Sequence, residues 1–225
     1  MSSESAQESG TRARTRRAIL DAAVEVLSKN AAAPLSDIAA EADVGRSTLH
    51  RYYPERDDLI RALGEDALDK LSAAQIRARP EEGPADAALR RMSHECFDLG
   101  PLLALIYGDP QALSHESFWV RLSTIDAPLF DLLERGRADG TFSSNLKVRW
   151  VRHMLWWSLL TGWESFAHED YSRTEAIEAI DETVARITSA TDPRPLHGTS
   201  RSLPASGADL HTGGPLLALP VSETR

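Results

Sequence analysis

Cysteine is almost absent. The chain has 225 residues and a single cysteine, Cys96, so it can form no internal disulfide and fits a reducing compartment. Long hydrophobic runs are missing too. The most apolar window, 150–166, carries Arg152, His153 and Glu164, which makes it a poor membrane span. Residues 1–18 are polar, and the first apolar stretch is interrupted by Asp21 and Glu25, so no signal peptide is read. The expectation is a cytoplasmic protein with no membrane partner. The sequence has no nucleophile elbow, no phosphate loop and no zinc-ligand spacing, and no internal repeat. His94, His115, His153 and His168 are scattered. His94 with Glu95 and Asp98 comes nearest to a metal set and reads as solvated polar residues on a helix. No catalytic residue, no metal and no cofactor is therefore expected, and an enzyme built on Cys96 or a Ser/His pair is disfavoured.

Positive charge is also in short supply, with 25 Lys and Arg against 34 Asp and Glu and a net charge of −9. Its distribution matters more than its sum. Residues 11–63 hold nine basic against eight acidic side chains, whereas 64–225 hold sixteen against twenty-four. Arg12, Arg14, Arg16 and Arg17 bunch near the start, and Arg46, Arg51 and Arg56 follow. A local basic surface can bind phosphates on a chain that is acidic as a whole.

What is present is helical periodicity. Hydrophobic residues make up 42% of the chain, enough to bury a core. Ile19, Ala22, Ala23, Val26 and Leu27 form one stripe of a helix beginning near Thr11. Asn30 and the Ala-Ala-Ala-Pro run end it. A short helix opens at Leu35 with Ser36 as its expected N-cap, and Ala42-Asp43-Val44-Gly45 makes a tight turn. A third helix is expected over Arg46–Tyr52 and is broken by Pro54. A fourth, over 56–77, has Leu59, Ile60, Leu63, Ala67 and Leu71 at helical spacing. The Arg79-Pro80-Glu81-Glu82-Gly83-Pro84 stretch punctuates the chain as a boundary. Beyond it, helices are expected over 85–98, 101–107, 110–115, 116–138, 146–168 and 173–189, with Gly140 as a stop and Ser144 or Asn145 as a cap. No alternating run is long enough for a strand. The last 35 residues hold five Pro and four Gly and no aromatic residue, and read as a disordered tail.

Residues 36–53, SDIAAEADVGRSTLHRYY, therefore spell helix, tight turn, helix. Ala39 lets the two helices approach, and Ile38, Val44 and Leu49 fill the wedge between them. Such a unit presents its second helix to the major groove of DNA. Arg46 can bond guanine or phosphate, Ser47 and Thr48 offer short hydroxyls, and His50 can reach a base edge or phosphate. Arg51, Tyr52 and Arg56 extend the same surface as phosphate clamps.

The stretch from Arg14 to Leu63 resembles the N-terminal domain of TetR-family repressors. That family has a basic lead and a helix ending in Ala-Ala plus an apolar pair, here Ala22-Ala23 and Val26-Leu27. Its Leu-x-Asp/Glu-Ile-Ala-x-x-Ala-Gly-Val pattern is similar to Leu35-Ser36-Asp37-Ile38-Ala39-Ala40-Glu41-Ala42-Asp43-Val44. The next segment of the family pattern resembles Gly45-Arg46-Ser47-Thr48-Leu49-His50-Arg51-Tyr52-Tyr53, and the last resembles Pro54-Glu55-Arg56-Asp57-Asp58-Leu59. Asp43 stands where the family has its turn glycine, a change aspartate tolerates. Gly45 stands where serine is common as N-cap, a loss of roughly a few tenths of a kcal/mol. His50 stands where the family has a phosphate-binding tyrosine.

The resemblance implies an all-α fold. A three-helix helix-turn-helix domain is joined by a long helix to a C-terminal ligand-binding and dimerisation bundle. The expected division is a disordered lead over 1–10, a DNA-binding domain over 11–63, a sensor and dimer domain over 64–190, and the tail over 191–225. All five tryptophans lie in the C-terminal region. Trp150, Met154, Trp157 and Thr161 share one stripe, and Val151, Leu155, Ser158, Leu159 and Gly162 lie on the adjacent face. A helix apolar on both faces packs on its own domain and on a second subunit. By resemblance, 116–138 and 146–168 form the homodimer contact. Candidate pocket residues are Met92, Cys96, Phe97, Tyr107, Phe118, Trp119, Leu122, Trp150 and Met154, which favour a small apolar or aromatic effector. The implied function is a sequence-specific repressor released from a palindromic operator by that effector. The competing reading is a DNA-binding regulator controlled by a protein partner, or an activator.

Overall fold

The computed structural model describes residues 2–108 and 116–190, with backbone alone at 2–9 and 106–108. The expected 110–115 helix and the expected tail from 191 lie outside the described residues. The first helix, α1 (Ser2–Lys29), starts earlier than expected. Residues 2–10, read from composition as a disordered lead, continue it, since Ser-Ser-Glu-Ser-Ala-Gln-Glu-Ser contains no proline to break a helix. It stops where Asn30 turns its side chain onto the Ala32 N–H, at 3.1 Å.

Then come α2 (Leu35–Glu41) and α3 (Arg46–Tyr52), joined by a turn in which Asp43 takes φ 51°. Ser36 is not the cap of α2. Pro34 occupies that position, its ring already fixing the φ that a helix entry needs, and the Ser36 hydroxyl turns to Asp37 Oδ1 at 3.2 Å. Leu49 is the one buried residue of α3 and belongs to the same apolar core as Ile38 and Ala39 of α2 and Ile19 and Ala23 of α1, so the short helix is anchored by one side chain. Truncating it to alanine would cost about 2–5 kcal/mol.

The long helix α4 (Arg56–Ala78) ends at Arg79, held at φ 47°. Around it lie α5 (Ala85–Phe97), α6 (Gly100–Gly108), α7 (Glu116–Ile125) and α8 (Ala127–Ala138). The expected single helix over 116–138 is interrupted at Asp126, because Pro128 in the first turn of α8 has no N–H for the Thr124 carbonyl. A turn follows, in which Asn145 N–H donates to Ser143 Oγ, and α9 (Val148–Ala167) opens after Lys147. Neither Ser144 nor Asn145 caps it. The last described helix, α10 (Arg173–Thr188), has a reciprocal cap: Ser172 Oγ accepts from Glu175 N–H, and Glu175 Oε2 accepts from Ser172 N–H at 2.8 Å. Among the described residues there is no strand, only a lone bridge between Phe142 and Ser189. No helix among them is long and apolar enough to cross a membrane.

Two close approaches set the packing of α9. A Cβ on Gly162 would lie 2.5 Å from Ile180 of α10, and a Cβ on Gly100 would lie 2.0 Å from Trp163. Gly100, which faces the Trp163 Cβ itself, accepts only a residue without a side chain.

Candidate nucleic-acid interface and effector cavity

With Leu49 pointing inward, the remainder of α3 is turned outward. Arg46, Ser47, His50 and Arg51 are exposed, while Thr48 and Tyr52 are half-buried at its edges. The structure thus brings six of the seven expected DNA-binding residues onto one short helix. The Arg51 guanidinium lies over the Tyr52 ring at 5.8 Å, which steadies both side chains. His50 Nδ1 is 3.3 Å from the Pro54 carbonyl, leaving Nε2 outward. Arg56 behaves differently. Its guanidinium donates to Ala33 O at 2.8 Å and to Ala31 O at 2.5 Å, tying the start of α4 to the turn after α1. Arg56, expected as a phosphate clamp, is thus engaged with two backbone carbonyls at this turn. Arg16 enters instead, lining with Tyr52, Tyr53 and Arg61 a groove beside the end of α3. The bunched arginines of α1 were the sequence signal for it.

Ion pairs link α4 to its neighbours on both sides. Toward α1, Arg17 bonds Asp66, with its second nitrogen 3.1 Å from Oδ2, and Lys70 sits 3.0 Å from the same carboxylate. Toward α7, Arg121 bonds both Glu65 and Asp69. Between α4 and α7 lies an apolar cavity. Its walls are Ala67, Leu68 and Leu71 of α4, Leu102 and Leu103 of α6 with the preceding Leu99, Phe118, Trp119 and Leu122 of α7, and Arg152 and Trp156 of α9. Counted for the centre of a water-sized sphere, it holds about 30 Å³.

Three of the nine expected pocket residues, Phe118, Trp119 and Leu122, line this cavity. Met92, Cys96 and Phe97 are buried in α5 but do not reach it. Trp150 is 56% exposed and Met154 half-buried, both on the outer side of α9. The Tyr107 side chain lies outside the described residues. The face of α9 that meets the cavity carries Arg152 and Trp156, two positions on from Trp150 and Met154. Of the two arginines near the start of α9, Arg149 is exposed and Arg152 is the one turned inward. It pairs with Asp126, Nε to Oδ2 at 2.6 Å, and Asp126 is 1% exposed.

Burial pushes the Cys96 thiol up to about 12, so it stays protonated and is a poor nucleophile. His94, Glu95 and Asp98 do not converge. They pair respectively with Asp181 at 2.9 Å, Arg77 at 2.7 Å and Arg173 at 3.0 Å. Among the described residues no group of three or more His, Cys, Asp or Glu side chains could hold a metal ion.

Comparison with known proteins bears on both sites. The family model described as bacterial regulatory proteins, tetR family, matches residues 19–63. The HTH-type transcriptional repressor LfrR of Mycolicibacterium smegmatis is 43% identical over 173 residues, spanning 77% of this chain and 89% of that protein. The crystal structure of the TetR-like transcriptional regulator LfrR from Mycobacterium smegmatis in complex with proflavine superposes with a TM-score of 0.67 at 40% identity, covering 77% of this chain and 96% of that one. A TetR family regulator from Marinobacter aquaeolei VT8 gives the same TM-score at 17% identity, covering 80% and 98%, and shows the fold alone.

Proposed function

This chain belongs to the TetR family of bacterial regulatory proteins, and we propose that it is a dimeric repressor whose α3 reads a palindromic operator and whose cavity takes the effector that releases it. The observation that carries the reading is the outward placement of Arg46, Ser47, His50 and Arg51 on a helix pinned from behind by Leu49. Arg46, Ser47 and Thr48 lead into the major groove, and His50, Arg51 and Tyr52, with Arg16 beside them, hold the phosphates. By this reading the DNA-binding part is 11–63 and the sensor and dimer part 64–190. α4 runs unbroken through the division.

The effector class follows from the cavity walls and from the relative's complex with proflavine: a small, flat, largely apolar aromatic. A volume of about 30 Å³ has no room for such a molecule, so its entry pushes α4 and α7 apart. α4 is bonded through Asp66 to α1, so that displacement reaches the reading head and changes the spacing of the two α3 helices in the dimer. The tightness of the cavity is also what favours a second reading, in which a protein partner sets operator affinity. A small molecule that releases the operator would remove it.

The test is a mobility shift on DNA upstream of the protein's own gene with non-specific competitor. Arg46→Ala, Thr48→Ala and Tyr52→Ala should each weaken specific binding by about 1–3 kcal/mol without lowering the melting temperature. Undiminished binding in all three would sink the assignment of α3.

A further inference from the structure

The inference below rests on reading the α4–α7 cavity as the effector site. Its lining is apolar except for Arg152. One helical turn beyond it stand two buried polar side chains whose hydrogen-bonding capacity is unmet. Gln75 follows the lining residue Leu71 by four positions on α4 and is 3% exposed. Neither its Oε1 nor its Nε2 has a partner among the described residues. Asp126 follows the lining residue Leu122 by four positions, and its N–H still donates to the Leu122 carbonyl at 2.8 Å, as in a helix. Arg152 occupies its Oδ2, while Oδ1 has no partner among the described residues.

A spacing of four puts each of these groups on the face of the lining residue it follows. The two helices also run in the same direction and in register. Phe118 packs against Gly64, and Arg121 reaches Glu65 and Asp69. Continuing at that pitch brings Asp126 level with Ser72, within one turn of Gln75, so both groups stand just beyond the same end of the cavity. Unpaired buried polar atoms are costly, and two unpaired acceptors there, Asp126 Oδ1 and Gln75 Oε1, call for a ligand that supplies N–H groups.

We propose that Gln75 and Asp126 select the effector. It is a flat aromatic compound bearing ring-attached N–H groups, its rings lying against Phe118, Trp119 and Trp156 and its N–H groups donating to Asp126 Oδ1 and Gln75 Oε1. Burial holds the Asp126 carboxyl above its ordinary range even though Arg152 opposes the shift, and a second donor relieves that burial. An aromatic without N–H groups fills the same space but leaves these atoms unpaired, so it binds more weakly. An anionic compound brings no donor to Asp126, and Arg152 is already committed there.

The test uses the full-length protein and two dyes, followed by tryptophan fluorescence. Proflavine has three fused rings with two amino groups, and acridine has the same rings without them. The wild type should prefer proflavine by at least about tenfold. Gln75→Leu and Asp126→Asn should each narrow that preference to within about threefold. Gln75→Leu exchanges a buried unpaired amide for an apolar group of similar shape, so it should also raise the melting temperature of the free protein, which rules out unfolding as the cause of its effect. Failure of the wild type to bind either dye, equal affinity for both, or a preference kept by both variants overturns the proposal. Ala67→Leu in the cavity wall separates the two levels. If it leaves proflavine binding intact, the cavity is not the effector site and both readings fall. If it blocks both dyes while the preference survives in Gln75→Leu and Asp126→Asn, only the selection by these two residues falls.

Discussion

Asp66 is the residue on which the coupling of α1 to α4 turns. Burial alone would raise its carboxyl, but Arg17 and Lys70 more than reverse that and hold it below the ordinary carboxylate range. A carboxyl whose pKa is depressed on folding stabilises the fold at pH values above its unfolded pKa. That contribution is lost as pH falls through the folded value. Asp66→Asn should therefore be less stable than the wild type at neutral pH, and the gap should close below about pH 4. Thermal denaturation of both proteins across that range measures it, and a gap independent of pH would show that the charge is not what matters. Residue roles of this kind were only partly legible in the sequence. Arg46, Ser47, His50 and Arg51 follow from one anchored helix, so a local pattern predicted their exposure. Arg56 could not be placed that way, because the carbonyls of Ala31 and Ala33 that capture it belong to a turn more than twenty positions earlier.

Among the elements, the reading helix was legible to its ends: Arg46–Tyr52 is bounded by the glycine and the proline that the sequence displays. The break at Asp126 was not. Leu122, Ile125, Leu129, Leu132 and Leu133 keep helical spacing straight through it, so periodicity runs across the break. What fixes it is Pro128 together with a buried pairing to Arg152, 26 positions away. The face of α9 that meets the cavity is hidden from the sequence for a related reason. A helix apolar on two faces does not reveal which one meets its own domain. The answer lies in Gly100, whose lack of a side chain lets Trp163 close against α6. Alanine there would ordinarily be the better helix former, by about 1 kcal/mol. Here its Cβ would fall 2.4 Å from the Trp163 Cβ, the fixed root of that side chain. Gly100→Ala should thus destabilise the protein by about 1–3 kcal/mol in chemical denaturation. A neutral or stabilising effect would mean that α6 and α9 are not so closely packed.

For the molecule as a whole, the question is how a chain carrying −9 net charge holds DNA. One short helix per protomer makes few contacts, and pairing two of them on half-sites roughly 34 Å apart multiplies their effect. We assign the dimer contact to α9, where Trp150 is 56% and Trp157 41% exposed on the stripe they share with Met154. The resemblance expects 116–138 as the second contact helix; within that span α7 leaves Val120 61% exposed, and α8 turns Asp131 and Glu134 outward. Large exposed tryptophans side by side on a helix are unusual on a lone subunit and ordinary in the core of an interface. Replacing both by glutamate, Trp150→Glu with Trp157→Glu, removes that apolar area and sets like charges facing each other across a twofold axis. The double variant should sediment as a folded monomer and lose operator affinity by far more than it loses non-specific binding, since only the specific complex needs two linked reading heads. A variant that still sediments as a dimer would take α9 out of the interface, whereas a monomer that keeps full operator affinity would leave α9 in place and remove the need for pairing.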